Sequence, residues 1–281
     1  MIKLFASDLD GTLYNALHQT DGGILRRLRR VIGAGRHVAL ATGRWSSTGA
    51  ELGFGDLPLE VVSANGAFVY GTAGELLRSV PIDPAVLEEM LSAFPTCCLV
   101  CVAPDGTFVR GTREQQEASY LAPHGILSRI VVHNARKRGN PSFCFDQSAS
   151  DVLGHPVCKV NCRIFDPGLK AEFAAFVAEH ADALVNASFD GDLFEITEAS
   201  VDKGEALAWL AGHLGIAEDE VAVYGDGGND LAMLERFGHA YATRNASDDA
   251  KRAAGAVIGD CTWHAVPRHM LATVRREGPL P

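Results

Sequence analysis

The stretch Ser7-Asp8-Leu9-Asp10-Gly11-Thr12-Leu13-Tyr14 decides how the chain is read. It follows the apolar run Ile2-Lys3-Leu4-Phe5-Ala6, the pattern of a short buried strand. Side chains alternate along a strand, so Asp8 and Asp10 begin on one face, roughly 7 Å apart along the chain. Gly11 lets the backbone turn sharply. Two carboxylates brought to about 4 Å repel by about 4 kcal/mol at an effective dielectric near 20. Such a pair needs a cation, a shared proton or water. A plain hairpin turn at Asp10-Gly11 is the competing reading of the same residues.

Outward from this stretch, the spacing of Ile24, Leu25, Leu28, Val31 and Ile32 predicts a helix that ends at Gly33 and Gly35. Arg26, Arg27, Arg29 and Arg30 lie around the rest of it. They read as a solvated face rather than a phosphate patch, because no aromatics are interleaved and the chain is acidic. His37 to Ala41 is a second buried strand, ending at Thr42-Gly43-Arg44, and Leu59 to Ser63 a third, ending at Ala64-Asn65-Gly66. Apolar strands alternating with helices imply a parallel α/β sheet, Rossmann-like in kind. Ligands in such sheets bind at the carboxyl ends of the strands, which places Thr42 and Asn65 at the edge that carries Asp8.

Ala67–Tyr70 and Leu76–Val80 flank a turn sequence, Gly71-Thr72-Ala73-Gly74, and predict a hairpin. The texture then changes. Residues 82–199 read as an α+β insert. Its predicted strands are Cys98–Ala103, Thr107–Arg110, Arg129–His133, Val157–Phe165, Ala183–Asn186 and Leu193–Thr197. They alternate with two or three helices, one of them Leu169–His180. Residues 134–155 read as polar and irregular. Residues 1–81 and 200–281 make up the α/β part. The latter holds the Lys203 helix, a strand Val221–Tyr224 running into Gly225-Asp226-Gly227-Gly228-Asn229-Asp230, strands at His239–Ala242 and Ala256–Ile258, and a last helix near Ala265–Arg275. The tail from Glu277 is expected to fray.

Bulk properties bound the function. The 281 residues are 47% hydrophobic and 21% charged, an ordinary globular balance. A net charge of −10 argues against a nucleic-acid partner, and an anionic substrate must be drawn in locally. No run is long enough to span a membrane and no signal-peptide pattern opens the chain, so a cytoplasmic protein is expected. Seven cysteines, mostly on apparent strands, suit reduced thiols. Cys98 and Cys101 have zinc-like spacing but apolar neighbours and no second pair, so they read as core filler.

Four pieces fall where open-sheet sites fall: Asp8 with Asp10, Thr42, Lys203, and Asp226 with Asn229 and Asp230. Asp202 and Glu205 form a capping-box-like start that puts Lys203 in the first helical turn. A cation there opposes the helix dipole by roughly 0.3–1 kcal/mol, which suggests that it faces an anion. Asp8, Asp10, Asp226 and Asp230 carry −4 and Lys203 +1. One Mg²⁺, a hard cation suited to carboxylates and phosphate oxygens, brings the sum to −1. A phosphate can then bridge metal, lysine and Thr42. This is equipment for phosphoryl transfer, with a carboxylate as nucleophile and a second one moving protons.

In this order the four pieces resemble the haloacid dehalogenase superfamily: Asp8-Leu9-Asp10-Gly11-Thr12, Ala41-Thr42-Gly43-Arg44, Lys203, and Gly225 to Asp230. The insert's position, Ala64-Asn65-Gly66-Ala67 and Val201-Asp202-Lys203-Gly204 are similar to the Cof-type branch with a type IIB cap. The resemblance implies a core domain with an inserted cap that closes over the site. Asp8 is then the nucleophile, and Asp10 the general acid/base, also lending its carbonyl to Mg²⁺. Thr42, Gly43 and Lys203 hold the phosphoryl group, Asp226 ligates the metal, and Asn229 and Asp230 orient metal waters and Lys203. Asn65 and Asn245 match positions that often face the site. The chain departs from the family at Arg244, often glycine, and at Thr262–Val266, where an Asp-Gly-Val element is usual. The implied activity is a Mg²⁺-dependent phosphatase for a small phosphorylated metabolite, such as a sugar phosphate or phosphorylated cofactor. The alternatives are a phosphomutase, or a regulator phosphorylated on Asp8 without turnover.

Overall fold

Leu4–Ser7 forms strand β1, with all four residues buried. The computed structural model describes residues 1–121, 143–187 and 191–280. Its contacts divide the chain into two units, Met1–Ser79 with Val201–Pro281, and Val80–Ser200.

In the first unit β1 lies inside an eight-stranded sheet. Its other strands are β2 (His37–Ala41), β3 (Glu60–Ser63), β4 (Phe68–Tyr70), β5 (Leu76–Ser79), β12 (Val221–Gly225), β13 (His239–Ala242) and β14 (Ala256–Val257), in the spatial order β14-β13-β12-β1-β2-β3-β4-β5. Pairing is parallel from β14 to β3 and antiparallel through β4 and β5. The fold is thus α/β with a mostly parallel sheet. Register places the site: Ser7 pairs with Tyr224 on one side and Leu40 on the other, and Ala41 pairs with Val62. The residues that follow these strands therefore emerge at one edge. β1 lies where the chain order diverges to either side, the usual place for a ligand crevice.

Alternation along β1 feeds two faces. Leu4 and Ala6 pack with Ala39, Ala41 and Val62 against Ala206, Leu207 and Leu210 of the Lys203–His213 helix. Phe5 points the other way, toward Tyr224, whose hydroxyl meets His269 Nδ1 of the C-terminal helix Ala265–Glu277 at 3.0 Å. Fully buried strands covered on both faces explain the unbroken apolar runs in the sequence. The helix Gly22–Ile32 buries Ile24, Leu28 and Val31, and Asp21 caps it by accepting from Gly23 N and Ile24 N.

The C-terminal tail does not fray as expected. Glu277 accepts from Ile2 N at 2.9 Å, Arg36 donates to Gly278 O at 2.7 Å, and Leu280 N donates to Ala34 O at 3.0 Å. These bonds tie the tail to residues beside the starts of β1 and β2, contacts that a sequence-local reading cannot see.

The second unit is an α+β sheet of six strands: β6 (Leu99–Ala103), β7 (Gly106–Arg110), β8 (Phe143–Cys144), β9 (Lys159–Arg163), β10 (Leu184–Asn186) and β11 (Leu193–Glu198), in the order β10-β11-β9-β6-β7-β8. Leu87, Met90 and Leu91 of the helix Pro84–Ala93 and Phe173 of the helix Pro167–Glu179 share a core with Cys101, Val160, Cys162 and Ile196. All seven cysteines are free thiols, and no Cys-containing metal group occurs among the described residues. The strand expected at Arg129–His133 lies outside the described residues. Of the stretch expected to be irregular, 134–155, the described part holds β8 and a short helix, Ala149–Leu153, started by a reciprocal Ser148–Asp151 capping box. Ser148 and Asp151 are spaced for that box, a signal the polar composition hid. No helix among the described residues is long and apolar enough to cross a membrane.

At the far end of the sheet His37 Nδ1 meets Glu60 Oε1 at 2.6 Å, with the Glu60 side chain 3% exposed. The hydrogen bond to Glu60 raises the His37 pKa above its ordinary 6.5 against the opposing effect of burial. A raised histidine pKa gives stability that is complete below the unfolded value and lost as pH rises through the folded one. Urea titrations should therefore show stability falling from about pH 6 upward, with the fall reduced in His37→Gln. An identical pH dependence in wild type and His37→Gln would remove this pair as its source.

Candidate active site

Asp8 follows β1 directly and is 6% exposed. The strand ends at Ser7, so Asp8 and Asp10 do not continue it on one face as the alternation suggested. The chain instead coils tightly over Leu9–Leu13, with Gly11 at φ +80°. A Cβ on Gly11 would lie 2.2 Å from Asp226 Oδ2, so only glycine allows both the turn and the approach. The Gly11 carbonyl accepts from Asn245 Nδ2 at 2.7 Å and Thr243 Oγ1 at 3.2 Å.

Lys203 sits in the first turn of its helix, started by Asp202 accepting from Glu205 N at 2.8 Å. The box is not reciprocal, because Glu205 pairs with Arg236 instead. Lys203 is fully buried, and its Nζ donates to Asp8 Oδ1 and Asp230 Oδ1, both at 2.7 Å. Burial alone would lower its pKa; the Asp230 and Asp8 charges overcome this and raise it. Asp230 is also fully buried, and its second oxygen accepts from Asp226 N at 2.8 Å and Gly227 N at 2.9 Å. That carboxylate shapes the glycine-rich turn from within while its other oxygen holds the lysine.

One lysine does not balance this group. Burial, with the nearby Asp230 charge, pushes the Asp8 carboxyl up to about 8 despite Lys203. Burial likewise raises Asp226, which accepts from Thr12 Oγ1 at 2.8 Å. Asp8, Asp226 and Asp230 each offer an oxygen within 4.8 Å of the others. Three carboxylates this close, with one lysine between them among the described residues, fit a divalent ion of the Mg²⁺ type. Asp10's carboxylate is outside this group. It is bound bidentately by Arg44, Nε at 2.9 Å and Nη2 at 2.6 Å, with His18 Nδ1 at 3.1 Å.

The remaining expected residues fall at the same sheet edge. Thr42 is buried, accepts from Arg44 N through Oγ1 at 3.1 Å, and through its carbonyl accepts from Asn65 N at 2.9 Å. A Cβ on Gly43 would lie 3.1 Å from Asn65 Oδ1. Ala64 and Asn65 both adopt left-handed conformations, φ 52° and 57°, a strained pair that turns Asn65 into the protein. Asn65 is 3% exposed; its Oδ1 accepts from Asn229 Nδ2 at 3.1 Å, while its Nδ2 is buried with no partner among the described residues. An unanswered buried donor suits an anion's oxygen. Asn245 bridges the Gly11 carbonyl and Cys261 N. Thr12, His18, Arg44 and Thr243 were not singled out from sequence. Arg44 carried a signal, being a cation just past a strand end at the edge of an acidic site.

The fold and this edge define a hydrolase of the haloacid dehalogenase-like family, whose model matches residues 5–270; the chain belongs to that family. Among its relatives, the phosphatase YwpJ of Bacillus subtilis is 29% identical over 96% of this chain and 99% of its own. The 5-amino-6-(5-phospho-D-ribitylamino)uracil phosphatase YwtE of the same organism is 26% identical over 89% of this chain and 90% of its own. A solved structure of a haloacid dehalogenase-like hydrolase from B. subtilis superposes with a TM-score of 0.79 and 27% identity, covering 96% of this chain and 99% of that one.

Replacing Lys203 with methionine leaves Asp8 and Asp230 buried without their shared cation. Lys203→Met should destabilise metal-free protein by about 3–5 kcal/mol in urea unfolding. An unchanged urea midpoint would mean that the carboxylates do not depend on it.

Proposed function

We propose that the protein is a phosphatase for a small phosphorylated metabolite, working through an aspartyl-phosphate on Asp8. The observation that carries this is the buried Asp8 carboxylate, held by Lys203 at 2.7 Å and ringed by Asp226 and Asp230. Relatives named as phosphatases support it, one of them for a phosphoribitylamino-uracil.

Lys203 fixes one Asp8 oxygen and leaves the other to attack phosphorus as the bond to the leaving oxygen breaks. Asp10 gives its proton to that oxygen, then takes one from the water that attacks the aspartyl-phosphate and frees Asp8. Arg44 and His18 position the Asp10 carboxyl, and release of the Arg44 fork frees an oxygen to carry the proton. Thr42, Gly43, Asn65 and Asn229 line the edge where phosphoryl oxygens lie, and the free Nδ2 donor of Asn65 is suited to one of them. Asp8 and Asp226 would hold Mg²⁺, with Asp10 contributing its carbonyl and Asp230 orienting the group. When bound, the ion neutralises phosphate charge. Asn245 supports the Gly11 turn with one N–H of its amide, and the second N–H of the same group is available to a substrate oxygen.

A phosphate-release screen over phosphorylated metabolites with Mg²⁺ tests the reading. Wild type should release phosphate, and Asp8→Asn should lose at least about 10³-fold in kcat. Equal release by both would reject Asp8 as nucleophile. Asp10→Asn should slow turnover most for leaving groups of high pKa, and a uniform loss would deny it the acid role.

Metal linkage gives a readout independent of turnover. Since Asp8 is raised from 3.8 to about 8, its ionisation works against the metal-free fold progressively as pH rises through that range. Mg²⁺ should therefore raise Tm more at pH 8 than at pH 6, where protons compete for the same oxygens. A pH-independent Mg²⁺ effect on Tm would place the ion elsewhere.

A further inference from the structure

A groove of about 280 Å³ in the first unit is lined by Arg26, Arg27 and Arg30 of the helix Gly22–Ile32 and by Arg268, Leu271 and Arg275 of the C-terminal helix. The sequence shows the first three arginines as part of a solvated face. Folding adds two more from the far end of the chain, 242 residues after Arg26 in the case of Arg268 (268 − 26).

None of the five reaches a carboxylate within ion-pair distance among the described residues. Partners are not scarce, because Asp and Glu outnumber Lys and Arg 35 to 25. Elsewhere in the unit Arg29, Arg44, Arg236 and Arg252 each have one. Arg27 shows the crowding: burial and then Arg268, Arg26 and Arg30 lower its pKa, with Asp21 acting the other way. The groove is also pre-formed. His264, at the head of the C-terminal helix, meets Asp21, the cap of the other helix, at 2.7 Å, and Arg27 donates to Gly23 O at 2.7 Å.

We propose that this groove binds a short polyphosphate group, a di- or triphosphate, either free or carried on a nucleoside. Guanidinium forks pair with phosphate oxygens two at a time, so five of them answer several linked phosphates better than one. Leu271 is the single apolar lining residue, which leaves no bed for an extensive ring system. The volume lies just under the usual range for small-ligand pockets. The groove is built from residues that take no part in the Asp8 site, so its test is separate from the phosphatase reading.

Calorimetric titration with tripolyphosphate in EDTA is the experiment. Wild type should bind one equivalent, weakened by raising salt from about 50 to about 300 mM. Arg30→Glu/Arg275→Glu should bind about a hundredfold more weakly, with an unchanged circular dichroism spectrum, and Arg30→Gln/Arg275→Gln should lose less. Asp8→Asn should bind within about twofold of wild type. Equal affinity for ATP places recognition in the phosphate chain, and tighter ATP binding identifies the nucleoside-borne source. Undiminished binding by the charge-reversed protein, or binding altered by Asp8→Asn, would overturn the proposal. So would binding of single-stranded RNA or phosphatidylglycerol vesicles with none of tripolyphosphate.

Discussion

The Lys203 ammonium is fully buried between the carboxylates of Asp8 and Asp230, and the candidate site is arranged around that contact. Desolvating three charges costs several kcal/mol per ion, recovered only when geometry is good and the remaining valences are filled. Asp230 meets this by accepting two backbone N–H groups with its second oxygen, which also closes the glycine-rich turn that carries Asp226. Asp8 meets it only in part, and its raised pKa records the remainder. The fold thus contains an imbalance: more buried acid than one lysine neutralises, a charge that a divalent ion would complete.

Environment separates the two aspartates of the opening stretch. Asp8 is buried against a lysine, whereas the side chain of Asp10 is 40% exposed against an arginine and a histidine. A desolvated carboxylate with one fixed oxygen is suited to attack; one nearer water is suited to exchanging protons. Gly11 makes the division possible, since any side chain there would collide with Asp226. The left-handed pair Ala64–Asn65 does comparable work on the opposite side of Thr42, aiming an amide inward at the cost of backbone strain.

Long-range ties hold this edge in register. Asn245 links the Gly11 turn to Cys261, His264 links the heads of two helices through Asp21, and the tail is stitched to the base of the sheet by Glu277, Gly278 and Leu280. Each joins segments more than about a dozen residues apart, or the two ends of the chain. Such contacts add to the stability of a parallel sheet whose strands are themselves joined by long crossovers.

Apolar runs and helical spacing are enough to read the parallel sheet, the α+β insert, the strand ends bearing Asp8, Thr42, Asn65 and Asp226, and the helix start bearing Lys203, because these patterns are local and periodic. Asp202 was legible as a cap for the same reason. The partners were not. That Asp10 pairs with Arg44 rather than standing beside Asp8, that Thr12 serves Asp226, that the tail is tied down, and that arginines from two distant helices meet in one groove all depend on which segments the sheet order brings together. Local sequence determines what each segment is; the tertiary structure alone decides which charges become neighbours, since Coulomb and hydrogen-bond energies depend on distance in space and not along the chain.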